Sequence, residues 1–151
     1  MKATIALGAN LEKPEDCVEL ALAMLGEAFD MVAKSSLYKT KPVGGPAQSD
    51  FINAVCIVES ELDPHELLHV LQGIEKSFGR IRDVRWGPRI IDCDLITYGD
   101  LVLEDDELTL PHPRVHERRF VLEPWLEIDA DAVLIGHGRI ADLLAHLPRD
   151  E

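Results

Sequence analysis

Phe51-Ile-Asn-Ala-Val-Cys-Ile-Val-Glu-Ser-Glu-Leu62 is the stretch whose reading decides the fold. Its side chains alternate, with Phe51, Asn53, Val55, Ile57 and Glu59 on one face and Ile52, Ala54, Cys56 and Val58 on the other. That periodicity predicts a strand. Asn53 is its anomaly, because Asn is a poor strand former and a polar group aimed at a core must find partners. Two readings stay open for it: an edge-strand amide facing water, or a ligand-binding group.

Upstream, Lys41 to Asp50 holds two prolines and two glycines and predicts a loop of roughly ten residues, a length common in lids and binding loops. Met31 to Thr40 predicts a strand before it. Pro14, followed by Cys17, Val18, Leu20, Ala21, Leu22, Met24 and Leu25, has helical spacing that closes at Gly26. Lys2 to Leu7, ending at Gly8, predicts a first strand near the middle of a sheet. Downstream, a second helix opens at Asp63 or Pro64, carries the stripe Leu67, Leu68, Val70, Leu71, Ile74 and Phe78, and stops at Gly79. Ile90 to Tyr98 alternates again and ends at Gly99. The order strand, helix, strand, strand, helix, strand is the split βαβ pattern of an α+β, ferredoxin-like sandwich. Its sheet is expected to be mostly antiparallel, with helices on one face and the other face free for a site. Beyond it, Leu101 to Leu103 predicts a short strand, Glu104 to Glu107 a solvated connection, and Ile140 to Leu147 a capping helix.

A chain of 151 residues is expected to form one domain, 1–151, with a substantial core. Its formal charge of −13 argues against duplex nucleic acid or an anionic membrane as partner, and leaves small charged molecules open. Cys17, Cys56 and Cys93 are odd in number and lack metal-like spacing, so buried free thiols in a reducing compartment are expected. With no leader-like start and no long apolar run, the expected location is the cytoplasm.

The chemistry concentrates between Arg80 and Gly99. Arg80, Arg82, Arg85 and Arg89 lead through Trp86-Gly87-Pro88 into Asp92-Cys93-Asp94. On a strand, positions two apart share a face, so the carboxylates of Asp92 and Asp94 converge and suit a hard cation such as Mg2+. The guanidinium groups suit a polyphosphate. Metal-assisted transfer of a phosphate group is the expectation; a solvated Asp-x-Asp face beside a charged loop is the plainer alternative. In Leu108-Thr-Leu-Pro-His-Pro113 the prolines hold His112 on a rigid segment.

Four stretches together resemble a known family: Ala6-Leu-Gly-Ala-Asn-Leu11; Tyr38-Lys-Thr-Lys-Pro-Val-Gly-Gly-Pro46 with Asp50-Phe-Ile-Asn-Ala54; Arg85-Trp-Gly-Pro-Arg-Ile-Ile-Asp-Cys-Asp-Leu95; and Leu108 to Pro113 with Arg118 and Phe120. The chain resembles the 6-hydroxymethyl-7,8-dihydropterin pyrophosphokinases of folate biosynthesis. The resemblance implies transfer of pyrophosphate from ATP to the pterin's hydroxyl, with AMP released. It implies two Mg2+ ions on Asp92 and Asp94, with Asp94 also accepting a hydrogen bond from the attacking hydroxyl, and Arg80 and Arg89 assisting transfer. It places Gln72, Glu75, Arg82, Arg85, Trp86, Arg89, Leu95, Thr109, His112 and Arg118 on the ATP side. Gly8, Thr40, Val43, Phe51, Asn53, Trp86 and Phe120 fall on the pterin side, Thr40 and Val43 through backbone groups and Phe51 with Phe120 as a sandwich. The expected partners are these small molecules, acting on a monomer. Glu107 stands where the family often carries an arginine, and loss of that contact is expected to weaken ATP binding or to pass the contact to Arg114 or Arg119; Pro113 replaces an aromatic found in some members. A metal-dependent phosphohydrolase and a catalytically silent ferredoxin-like module are the competing classes.

Overall fold

The computed structural model describes residues 1–11, 13–41, 50–82 and 90–148, apart from the side chains of 79–82. In chain order these form β1 (Lys2–Ala9), α1 (Pro14–Ala28), β2 (Asp30–Lys34), β3 (Tyr38–Thr40), β4 (Phe51–Glu59), α2 (Pro64–Arg82) and β5 (Asp92–Tyr98). A short hairpin of β6 (Leu103–Glu104) and β7 (Thr109–Leu110) follows, then a 3-10 turn at Val115–Glu117 and α3 (Arg119–Ile128). A second hairpin, β8 (Val133–Leu134) and β9 (Gly138–Arg139), leads to α4 (Ile140–His146).

The helix starts are local chemistry. Pro14 occupies the first turn of α1, where a missing N–H leaves no helical bond unmade. At α2, Asp63 Oδ1 accepts the Glu66 N–H at 2.9 Å and Glu66 Oε1 accepts the Asp63 N–H at 3.2 Å, a reciprocal cap. Neither expected glycine stop holds: α1 runs past Gly26 to Ala28 and α2 past Gly79 to Arg82. A single glycine costs a helix about 1 kcal/mol, which the buried stripe on each helix outweighs.

The five-stranded sheet has the order β2-β4-β1-β5, with β3 also on β4, and every pairing is antiparallel. This is the ferredoxin-like arrangement the strand and helix order predicts. The single strand expected over Met31 to Thr40 is divided at Ser35. There the Ser35 N–H donates to Val55 O at 2.9 Å while Ser35 Oγ accepts the Val55 N–H at 3.0 Å, so one residue takes both ladder bonds and the following residues slip. Ser35 and Val55 are buried. Ser35→Ala leaves the Val55 N–H without its acceptor and is expected to cost about 1–3 kcal/mol in urea unfolding. The predicted strands also shorten: Phe51 to Leu62 ends at Glu59, Ile90 to Tyr98 begins at Asp92, and Leu101 to Leu103 pairs only from Leu103.

Under the sheet, Ile5, Leu7, Ile52, Cys56, Cys93 and Leu95 pack on Val18, Leu22 and Leu25 of α1 and on Leu67, Leu71 and Phe78 of α2. The opposite face, expected to be free for a site, is covered in part. Ala6, Val55 and Ile96 pack there against Val121, Leu122 and Trp125 of α3, with Leu134 and Ile140 behind them. Arg119 fastens this second layer: Nη1 lies 2.8 Å from Glu123 Oε1, and the guanidinium also donates to the carbonyls of Leu144, Leu147 and Pro148 at the end of α4. Because α3 covers only part of the face, a cleft remains above the N-terminal end of β5. Among the described residues, no helix is long and apolar enough to cross a membrane.

Candidate active site

Register brings the cleft's residues into line. Gly8 of β1 pairs with Asn53 of β4 on one side and with Asp92 of β5 on the other, and Ala6 pairs with Asp94. Asn53, Gly8 and Asp92 therefore form a row across three strands, whose ends are about 10 Å apart at the usual strand spacing. Gly8 keeps the row open: a Cβ there would lie 2.8 Å from Asn53 Oδ1. The cleft holds about 280 Å3 and is lined by Gly8, Thr40, Phe51, Asn53, Asp92, Asp94, Arg118 and Phe120, which the sequence singles out. Ala6, Leu7, Lys41 and Val121 complete it. Of these four, Ala6 was readable from the alternation of β1, since it shares Gly8's face; Lys41 was visible only as a basic residue opening a loop.

Both carboxylates are half-buried and face the cleft, so the paired arrangement read from the sequence holds. Among the described residues, no group of three or more His, Cys, Asp or Glu is placed to hold a metal. Two carboxylates alone suit a hard cation that takes its remaining oxygens from phosphate and water, the usual habit of Mg2+. Between them, the Cys93 N–H donates to Glu75 Oε2 of α2 at 2.8 Å, which ties the outer edge of β5 to the helix. Cys93 and Cys56 are buried free thiols: burial pushes Cys56 up to about 12, and burial together with the carboxylates of Glu75, Asp94 and Asp92 pushes Cys93 up. Both stay protonated and unreactive at neutral pH. Cys17 is only half-buried.

At the other end, Asn53 is 5% exposed, and its Nδ2 donates to Thr40 Oγ1 at 2.5 Å. The anomalous strand amide is a buried cleft group and not a water-facing one. Phe51 and Phe120 enter from β4 and from the first turn of α3, both half-buried. The Arg118 guanidinium stands 5.7 Å from the Phe120 ring centroid, within cation–π reach.

His112 lies beside the cleft. Its N–H donates to Ile96 O at 2.9 Å, and its Nδ1 accepts the Arg114 N–H at 3.2 Å, so backbone bonds as well as prolines hold it. Burial lowers its pKa; Asp94 pulls it up, and Arg118 and Arg114 push it down. A histidine whose folded pKa lies below its ordinary 6.5 binds fewer protons folded than unfolded, so its contribution to stability falls as pH drops below about 6.5. Asp94→Asn removes the group that raises it. The His112 ring signals should then titrate at lower pH than in the wild-type chain; an unchanged midpoint would mean the two do not communicate.

The remaining expected residues are more scattered. Gln72 is exposed on α2, and Thr109 is half-buried in β7. Leu95 is 4% exposed and buries its side chain in the core beneath the sheet, so only its backbone can serve a ligand. Val43, Arg85, Trp86 and Arg89 lie outside the described residues, as do the side chains of Arg80 and Arg82 and most of the loop from Lys41 to Asp50. Arg119, one of the two arginines expected to offset Glu107, is held by Glu123 and by the carbonyls at the end of α4. Glu107 itself lies 3.0 Å from His69 Nε2 on α2.

The cleft of this ferredoxin-like fold joins a carboxylate pair, Asp92 and Asp94, to the buried Asn53 amide and the rings of Phe51 and Phe120. The model of the family 7,8-dihydro-6-hydroxymethylpterin-pyrophosphokinase (HPPK) matches residues 4–130, and the chain belongs to that family. A Haemophilus influenzae protein named 2-amino-4-hydroxy-6-hydroxymethyldihydropteridine pyrophosphokinase is 42% identical over 144 residues, covering 94% of this chain and 90% of that one. A Pseudomonas aeruginosa protein of the same name is 37% identical over 150 residues, covering 95% and 90%. A Plasmodium falciparum HPPK-DHPS chain solved with pteroate superposes with a TM-score of 0.74 at 16% identity, over 95% of this chain and 42% of that longer one, a likeness of fold.

Proposed function

We propose that this chain transfers the pyrophosphoryl group of ATP to the primary hydroxyl of 6-hydroxymethyl-7,8-dihydropterin, giving AMP and the pterin diphosphate in folate biosynthesis. The observation that carries the reading is a single cleft holding Asp92 and Asp94 together with Phe51, Asn53 and Phe120. A phosphohydrolase needs the first pair and not the second set; a silent binding module needs neither.

The hydroxyl oxygen attacks the β-phosphorus of ATP and gives up its proton to solvent, the bond from that phosphorus to the α,β-bridging oxygen breaks, and AMP departs with that oxygen. Mg2+ held by Asp92 and Asp94, two ions in this reading, would spread the charge that builds on the attacking and leaving oxygens. Asp94 accepts the hydrogen bond of the attacking hydroxyl and orients it. Asn53 presents both ends of its amide to the donors and acceptors on the ring edge, while Phe51 and Phe120 cover the ring faces. Arg118 and His112 take the triphosphate side, Gln72, Glu75, Thr109, Arg82, Arg85 and Trp86 serve the rest of the ATP, and Arg80 and Arg89 assist transfer. The reading is of a monomer acting on small molecules in the cytoplasm.

The test is AMP release from ATP with Mg2+, with and without the hydroxymethylpterin. AMP should appear only when all three are present. Release that ignores the pterin would point to a hydrolase.

A further inference from the structure

A hydroxyl outside the expected roles reaches into the cleft. Thr40 is opposite Phe51 in the β3–β4 pairing and Tyr38 is opposite Asn53, so Thr40 and Asn53 are diagonal neighbours on one face. Thr40 Oγ1 accepts the Asn53 Nδ2–H at 2.5 Å. On its other side the amide meets bare backbone, with Oδ1 2.8 Å from where a Cβ of Gly8 would stand. A buried primary amide has two donor hydrogens and an acceptor oxygen to satisfy. The threonine takes one hydrogen, which leaves the other hydrogen and Oδ1 as an adjacent donor and acceptor for a ligand edge. Without that hydroxyl the amide has a free rotation and an unmet donor, both of which oppose ligand binding.

We propose that the Thr40 side chain is a positioning residue for acceptor recognition: its hydroxyl locks the plane of the Asn53 amide against the open floor made by Gly8. By accepting from Nδ2 the hydroxyl fixes the plane of the amide and leaves Oδ1 and the second Nδ2 hydrogen for the ligand edge. This role is separate from any contact made by the Thr40 backbone, which every substitution there except proline retains. The inference rests on the acceptor assignment made above.

Thr40→Val keeps the shape and strand preference of the side chain and deletes the hydroxyl. It should raise KM for the hydroxymethylpterin about tenfold, the value of one lost hydrogen bond in a ligand site, with KM for ATP and kcat near the wild-type values. Thr40→Ser should restore the wild-type KM. On an Asn53→Ala background, Thr40→Val should add nothing, because the group it positions is gone. A purely structural role would instead lower the thermal midpoint and kcat together and add to Asn53→Ala. If Thr40→Val does not fold, Thr40→Ala takes its place in the same cycle. An unchanged pterin KM, or additivity with Asn53→Ala, overturns the inference while the wild-type chain is active. A wild-type chain without pterin-dependent AMP release overturns the acceptor assignment itself.

Discussion

Asp94→Ala is expected to lower pterin-dependent AMP formation by about a thousandfold or more while the protein stays folded, the scale of loss when a metal clamp on a transferring phosphoryl group is broken. The structure separates these two outcomes. The Asp94 side chain is half-buried and faces the cleft, and its pairing with Ala6 is made by the backbone, so truncation removes no core contact. Its neighbours Cys93 and Leu95, which point the other way, carry the packing of β5. Circular dichroism and the thermal midpoint should therefore match the wild-type chain. Wild-type turnover in this variant would end the assignment of the carboxylate pair.

Asn53→Ala should raise KM for the hydroxymethylpterin by about a hundredfold with little change in KM for ATP, because a site built to hydrogen-bond a polar edge loses both ends of its amide. The two ends of the cleft lie on different strands, with Asn53 on β4 and the carboxylates on β5, and Gly8 stands between them. That separation is why an effect confined to one substrate is expected. A variant that lost only ATP affinity would show the cleft divided the wrong way round.

Why some of this was legible in the sequence and some was not follows from the range of the interactions. Period-two alternation in Phe51 to Glu59 and helical spacing after Pro14 and Pro64 are local, and they place the sheet and the helices beneath it. The Asp92–Asp94 geometry needs only the pleat of one strand. α3 left little trace: it is 10 residues long, contains Pro124 and opens on an arginine, so its apolar side, Val121, Leu122 and Trp125, makes too short a stripe to read. With it went the second layer and the true shape of the face that carries the cleft. The slip at Ser35 depends on Val55, 20 residues away. The commitment of Arg119 to α4 and the bond between Asn53 and Thr40 are likewise tertiary facts. Asn53 itself was visible as an anomaly, because a polar residue in an apolar strand conflicts with burial, and such conflicts collect at functional sites.

The most direct measurement is phosphorus NMR of the products after ATP, Mg2+ and hydroxymethylpterin are incubated with the chain. Attack at the β-phosphorus predicts AMP and pterin diphosphate in equal amounts, with no ADP. ADP with a pterin monophosphate, or pyrophosphate released to water, would contradict a cleft that joins the two substrates in one pyrophosphoryl transfer.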